Sequence, residues 1–234
     1  MELSEKKIKI LIYGAGSIGV FLGARLAEKG NDVTLFGRKK LQRLHDSILI
    51  NGVLYKTPKR IYELPENETY DFVFVTTKLY HSENALRHLR DKHISSEVLV
   101  LIQNGIVDDV LFKEFRSHPG FVTVSVFEGY HLIENQLLAT KSGMGWQTEY
   151  SPAGLILQRL LESVDIKCNA VKNLGAIRAE KMILVNAVGA LSAIEKKTLG
   201  ELITESKTKK LSNRSLKKPI KCCVTNTICR ACFG

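Results

Sequence analysis

No apolar run in the 234-residue chain reaches the roughly 18–20 residues that span a bilayer, so no membrane segment is expected. No signal peptide is expected either. Met1-Glu2-Leu3-Ser4-Glu5-Lys6-Lys7 leads straight into a strand-like apolar run without a cleavage site, and the expected compartment is the cytoplasm. No self-similarity appears at solenoid periods, which excludes a repeat architecture. Cysteine is scarce in the body, where Cys168 stands alone, while Cys222, Cys223, Cys229 and Cys232 crowd the last thirteen residues. Cys229-x-x-Cys232 has zinc-ligand spacing, but the other two cysteines are adjacent and no supporting pattern surrounds the cluster, so no metal is expected.

The formal charge of +10 invites a nucleic-acid reading until its position is considered. From Glu205 to Gly234 eight Lys and Arg stand against one acid, which places +7 in the tail and leaves about +3 for everything before it. The body is nearly balanced, and no nucleic-acid partner is expected. After Leu202 the sequence turns to Thr, Ser, Lys and Asn with no apolar period, so residues 205–234 are expected to be disordered.

The remainder carries the signals of a parallel α/β fold. An apolar run at residues 8–13 is followed at once by Gly14-Ala15-Gly16-Ser17-Ile18-Gly19 and then by helical spacing over residues 20–29. Gly30-Asn31 ends that helix, and Asp32-Val33-Thr34-Leu35-Phe36 reads as a second strand, completing a βαβ unit in about thirty residues. Short strands or connections are expected at residues 48–50, 52–55 and 60–62, and a buried strand at 71–76. A helix over 82–90, a strand over 98–102, a helix over 108–116 and a β-rich run over 121–126 come next. Residues 137–140 and 143–146 suggest a strand pair, and 152–163 a helix. Strands alternating with helices mean a doubly wound parallel sheet, closing near Val171. From Ala176 to Glu195 an unbroken helical pattern begins a second, helical domain that has nothing in the following sequence to pack against.

A G-x-G-x-x-G motif between a strand and a helix is the dinucleotide-binding fingerprint. Gly14 permits the tight turn, Gly16 lets a pyrophosphate approach the backbone, and Gly19 lets helix and strand pack closely; with Ala15, Ser17 and Ile18 they form the loop and helix start expected to bind the cofactor. At the end of the second strand, where an NAD enzyme places an acid for the ribose hydroxyls, this chain has Phe36-Gly37-Arg38-Lys39-Lys40. With no acid there, and with a guanidinium fork suited to a 2′-phosphate at Arg38, NADP is expected over NAD. Thr76-Thr77-Lys78 and Gln103-Asn104-Gly105 each follow a strand, on the sheet edge where open α/β folds bind ligands. Lys181 lies inside an apolar helix, where it either snorkels or, held in a partly dry cleft, donates a proton near neutral pH.

Taken together, these residues resemble the ketopantoate reductase (2-dehydropantoate 2-reductase) family, NADPH-dependent enzymes of pantothenate biosynthesis. The resemblance runs from about Ile8 to Gly200 through the glycine loop, Leu35-Phe36-Gly37-Arg38, Val75-Thr76-Thr77-Lys78, Leu101-Ile102-Gln103-Asn104-Gly105 and the helix opened by Lys181. It implies that Arg38 binds the 2′-phosphate, that Lys78 and Asn104 lie by the nicotinamide and substrate, and that Lys181 is the general acid for a 2-keto acid. In the family an asparagine four residues after the lysine also meets the substrate. Here position 185 is Val and the asparagine is Asn186, so either a local bulge restores its face or the contact is lost, because one residue turns a helix by about 100°.

The expected organisation is therefore an NADP-binding Rossmann-type domain over residues 1–173, the first helix of a substrate domain over 174–204, and a basic, Cys-rich tail over 205–234. The family's helical domain normally continues further and supplies a serine and a carboxylate, so the chain reads as a C-terminally truncated member, with a homodimer through the 176–195 helix as a further expectation. A nucleotide-binding module without catalysis, and a reductase of another 2-keto acid, remain the alternative readings.

Overall fold

The computed structural model describes residues 7–37, 44–105, 112–113 and 115–204. The expected helix over 108–116 falls largely outside the described residues, as do Arg38 and the whole 205–234 tail.

The chain opens with β1 (Lys9–Tyr13), α1 (Ser17–Glu28) and β2 (Asp32–Phe36). Alternation along β1 explains why its centre is apolar without a break: Ile10 and Ile12 join the core on the α1 side, and Leu11 joins the core on the opposite face. A strand covered on both faces has no solvent side to keep polar. After β3 (Ser47–Ile50), β4 (Val53–Lys56) and β5 (Lys59–Ile61) come β6 (Thr69–Val75), α2 (Leu79–Asp91), β7 (Ser95–Ile102), a 3₁₀ turn at Phe115–Ser117 and β8 (Phe121–Val126). Next follow β9 (Gly129–Ile133), β10 (Gln136–Thr140), β11 (Trp146–Glu149), α3 (Pro152–Glu162), β12 (Cys168–Val171), α4 (Leu174–Glu195) and α5 (Leu199–Thr204).

Eight strands form the main sheet in the order β12-β11-β8-β7-β6-β1-β2-β5. Pairing is parallel from β5 to β8, β11 runs antiparallel to β8, and β12 is parallel to β11. From β1 the chain passes to β2 on one side and later to β6 on the other, so the strand order reverses at β1. Such a switch point opens a crevice at the carboxyl ends of the strands, and the glycine loop follows β1 directly.

A second, four-stranded sheet, β4-β3-β10-β9, was not legible in the sequence and corrects one expectation. Residues 137–140 do not pair with 143–146: β10 pairs antiparallel with β9 and parallel with β3, while the strand at Trp146 joins the main sheet against β8 and β12. The reason is burial. Ile48, Ile50 and Leu137 turn inward and share one core with α1 residues Val20, Phe21 and Ala24, so the small sheet covers the outer face of α1.

Much of the last long helix is exposed among the described residues. Of the 22 residues of α4, Leu174 and Arg178 are buried, whereas Ile183, Val185 and Ile194 are 57%, 55% and 76% exposed. Lys196, at φ 52°, ends the helix in the left-handed region, and Thr198 and Glu201 then cap α5 through reciprocal hydrogen bonds. Leu202 of α5 is buried. No described helix is long and apolar enough to cross a membrane.

Ile183 and Ile194, about three turns apart on one side of α4, expose apolar surface that association would bury. We therefore expect the chain to self-associate, and the Ile183→Lys, Ile194→Lys double variant to sediment as a smaller species at equal concentration. A monomeric parent chain at high concentration contradicts this expectation.

Candidate active site

The site lies along the carboxyl edge of the parallel strands, and a series of hydrogen bonds crosses that edge from β2 to α4. Gly14 N–H donates to the Phe36 carbonyl at 2.9 Å, joining the ends of β1 and β2. Thr76, just past β6, donates through its backbone N–H to Tyr13 O at 3.0 Å and through Oγ1 to Gly14 O at 2.8 Å. Gln103, buried at the end of β7, donates its Nε2 to Thr77 O at 2.8 Å and to the Ser82 hydroxyl in α2. Its backbone N–H reaches Val124 O of β8 at 3.0 Å. Gln103 thus ties the ends of β6, β7 and β8 to α2 and fixes the position of Asn104, the next residue.

Backbone freedom and open space shape the glycine loop. Gly14 has φ +129°, a conformation that side chains rarely adopt, and a Cβ on Gly19 would lie 1.9 Å from the Gly14 carbonyl oxygen. Gly16 differs from both. It is exposed, and a Cβ there would meet nothing within 4 Å. As the N-cap of α1 it offers no side-chain acceptor to the first-turn amides. A bare helix N-terminus with uncapped amides beside an open cradle fits an anionic group such as a dinucleotide pyrophosphate. Ala15 and Ile18 pack partly against the core beneath the loop, and Ser17 begins the helix.

Lys181 reaches this edge from α4. Its Nζ donates to Asn104 Oδ1 at 2.7 Å and to the Val126 carbonyl at the end of β8, and it lies 4.6 Å from the centre of the Phe127 ring. Burial, followed by the nearby positive charge of Arg178 three residues earlier on the helix, lowers the Lys181 ammonium to about 8. A lysine in that range gives up its proton far more readily than one in water. Asn104, with Oδ1 engaged by Lys181, presents its amide Nδ2 as a donor to whatever enters beside it.

The structure therefore brings Lys181 and Asn104 together from positions 77 residues apart, on the edge that carries the glycine loop. Lys78 is the N-cap of α2; its carbonyl is held by His81 N and Ser82 Oγ, and its side chain is exposed. Asn186 does not join Lys181. The helix is regular through that point, so five residues turn it by about 140° from the lysine's direction, and its side chain is exposed. The bulge that would restore its face is absent. Thr76 and Gln103 were quoted in the sequence motifs without a role. The signal that could have found them was available: a small hydroxyl and an amide at the ends of buried strands must find partners.

A parallel α/β sheet with a glycine loop at its switch point, and with a lysine bonded at the same strand-end edge, defines a Rossmann-type protein. The family model for "Ketopantoate reductase PanE/ApbA" matches residues 10–145, and the chain belongs to that family. It is 34% identical over 116 residues to the 2-dehydropantoate 2-reductase of Pyrococcus horikoshii, a stretch covering 48% of this chain and 38% of that protein. Among solved structures, D-mandelate dehydrogenase with NADH and anilino(oxo)acetate superposes with a TM-score of 0.72 at 18% identity, over 87% of this chain and 69% of that one. The 2-dehydropantoate 2-reductase of Methylococcus capsulatus gives 0.63 at 22% identity, over 80% and 64%. At these identities the structures show a shared fold. Among the described residues no group of His, Cys, Asp or Glu could hold a metal ion.

The two glycines separate structural from ligand-facing roles. Gly19→Ala forces a methyl group into a backbone carbonyl and is expected to lower stability by about 1–3 kcal/mol in thermal denaturation, whereas Gly16→Ala should leave the melting temperature of the free chain unchanged. Equal losses would mean that Gly16 is also packed.

Proposed function

We propose that the chain binds NADPH along the glycine loop and reduces a 2-keto acid of the ketopantoate type to the 2-hydroxy acid. The observation that carries this reading is the Lys181 ammonium bonded to Asn104 on the strand-end edge that also carries the glycine loop. When bound, the cofactor supplies hydride to the C2 carbonyl carbon. Asn104 Nδ2 donates to the carbonyl oxygen, and Lys181 passes it a proton as negative charge develops there. A lysine held near neutrality is suited to the task, since it is charged at working pH yet weakly attached to its proton. Stabilising an oxygen whose charge grows only in the transition state lowers the barrier rather than tightening ground-state binding. The first-turn amides of α1 hold the pyrophosphate, Arg38 pairs with the 2′-phosphate, and Lys78 stands beside the nicotinamide and substrate. We also propose that two copies associate through α4.

A second reading, a dinucleotide-binding module without turnover, draws support from the position of Asn186, which leaves the substrate side of Lys181 one contact poorer than in the family pattern. Consumption of NADPH in the presence of ketopantoate distinguishes the two. Binding without consumption favours the module, and no binding removes both.

Three outcomes follow from the first reading. Lys181→Ala should keep NADPH affinity, measured by fluorescence titration, while turnover falls by about 10²–10⁴-fold, the usual worth of a general acid. Reduction requires the protonated lysine, so the rate should hold below pH 8 and decline above it as the proton is lost; a rate that rises through pH 8–9 contradicts the assignment. Arg38→Ala should weaken NADPH binding by about 1.5–3 kcal/mol and leave NADH binding unchanged, since only the former offers a phosphate to the guanidinium. Equal losses for the two cofactors would show that Arg38 supports the loop instead.

A further inference from the structure

The Val126 carbonyl and the Phe127 ring form the floor beneath the Lys181 ammonium, and they sit where the chain leaves the main sheet for the small one. A strand end is ordinarily a loose place from which to hold a charged group. Here it is fastened on three sides. Val126 pairs with Trp146 across the β8–β11 ladder, and Phe127 N–H donates to Gly145 O at 3.2 Å. The third fastening is polar. Trp146, wholly buried, donates its indole Nε1 to Tyr130 Oη at 2.9 Å and to Glu128 Oε2 at 3.2 Å, and the Tyr130 hydroxyl donates to the same carboxylate oxygen. The Tyr130 ring lies 4.5 Å from Phe21 of α1, the helix that the glycine loop opens.

We infer that Glu128, Tyr130 and Trp146 form a positioning unit that holds the Val126–Phe127 floor in register under Lys181 and joins it to the helix behind the glycine loop. None of the three touches Lys181 through a described hydrogen bond; they act through residues 126 and 127. The triangle is closed, because each member has its partner within it, and Tyr130 stays a proton donor because burial and the Glu128 carboxylate push its phenol well above the usual range. Loss of one member leaves buried polar groups seeking water at the point where the floor begins. Among the described residues, the groups that meet Lys181 directly, apart from Arg178 on its own helix, are neutral: Asn104 from the end of β7, the Val126 carbonyl of β8 and the Phe127 ring just past it. Glu128, the next charged group along the chain, is turned to Tyr130 and Trp146. If the floor loosens, water reaches the ammonium and Lys181 regains an ordinary lysine's proton affinity.

The inference deepens the proposed role of Lys181, so its test includes a readout that needs no turnover. Competitive acetylation of the full chain by acetic anhydride from pH 6 to 11, read at Lys181 by peptide mass spectrometry, gives the midpoint at which the amine becomes reactive. The parent chain is expected near 8. Tyr130→Phe, which keeps the ring against Phe21, and Glu128→Gln should each raise that midpoint by at least one pH unit and lower ketopantoate turnover about tenfold, with the KM for NADPH unchanged. Leu89→Ala, a core change under α2, should lose stability without moving the midpoint. A midpoint that stays at the parent value in both variants, or that moves equally in Leu89→Ala, overturns the inference. If the parent chain titrates near 8 and the variants shift but no keto acid is reduced, the positioning unit stands and the proposed reaction fails.

Discussion

The bond between the Lys181 ammonium and Asn104 is the contact on which the arrangement of this molecule depends. It joins a helix that begins after the last strand of the main sheet to the end of that sheet's β7, and it places a partly desolvated amine on the strand-end edge that also carries the glycine loop. Each end of the bond is supported by more of the chain. Behind Asn104, Gln103 links β6, β7, β8 and α2, and Thr76 passes the connection to Gly14 and so to Phe36. Behind Lys181, the Val126 carbonyl and Phe127 ring supply an acceptor and a π face, the latter contributing of order 1 kcal/mol when desolvated. Two carbonyl oxygens favour the ammonium, while burial and Arg178 oppose it. The opposition prevails by enough to bring Lys181 to about 8, and the amine is thereby poised rather than simply charged.

Geometry of the parallel sheet explains why these residues can meet at all. Parallel strands deliver all their carboxyl ends to one edge, so Gly14, Thr76, Asn104 and Val126 gather there although they are far apart in sequence. The small sheet plays a different part. It covers α1 from outside, and through Tyr130 and Phe21 it couples the strand end beneath Lys181 to the helix whose first turn faces the glycine loop.

Much of this was legible in the sequence, and the parts that were not share a physical cause. The glycine loop, the buried strands at β1, β6 and β7, and the α4 pattern are local signals, a periodicity or a required φ, and each appears where expected. Asn104 and Lys181 were named from motifs, but their meeting is a long-range fact that no local pattern contains. The small sheet escaped notice because its strands are short and its pairing crosses nearly ninety residues, from Ser47–Ile50 to Gln136–Thr140. Trp146 was assigned to the wrong partner because alternation reports which face is buried and not which strand lies next to it. Asn186 marks the limit of motif reading. A one-residue offset in a sequence alignment looks minor, yet on a regular helix it turns the side chain away from the site.

On the proposed reading, one sheet edge holds both the dinucleotide loop and the proton donor. A crystal structure of the chain grown with NADP would test it most directly. The pyrophosphate is predicted to lie on the amides of Ser17, Ile18 and Gly19 over the open Gly16 cradle, with the nicotinamide ring beside Asn104 and Lys181 Nζ. A nucleotide bound elsewhere, or a nicotinamide separated from Lys181 by the width of the sheet edge, would contradict the claim.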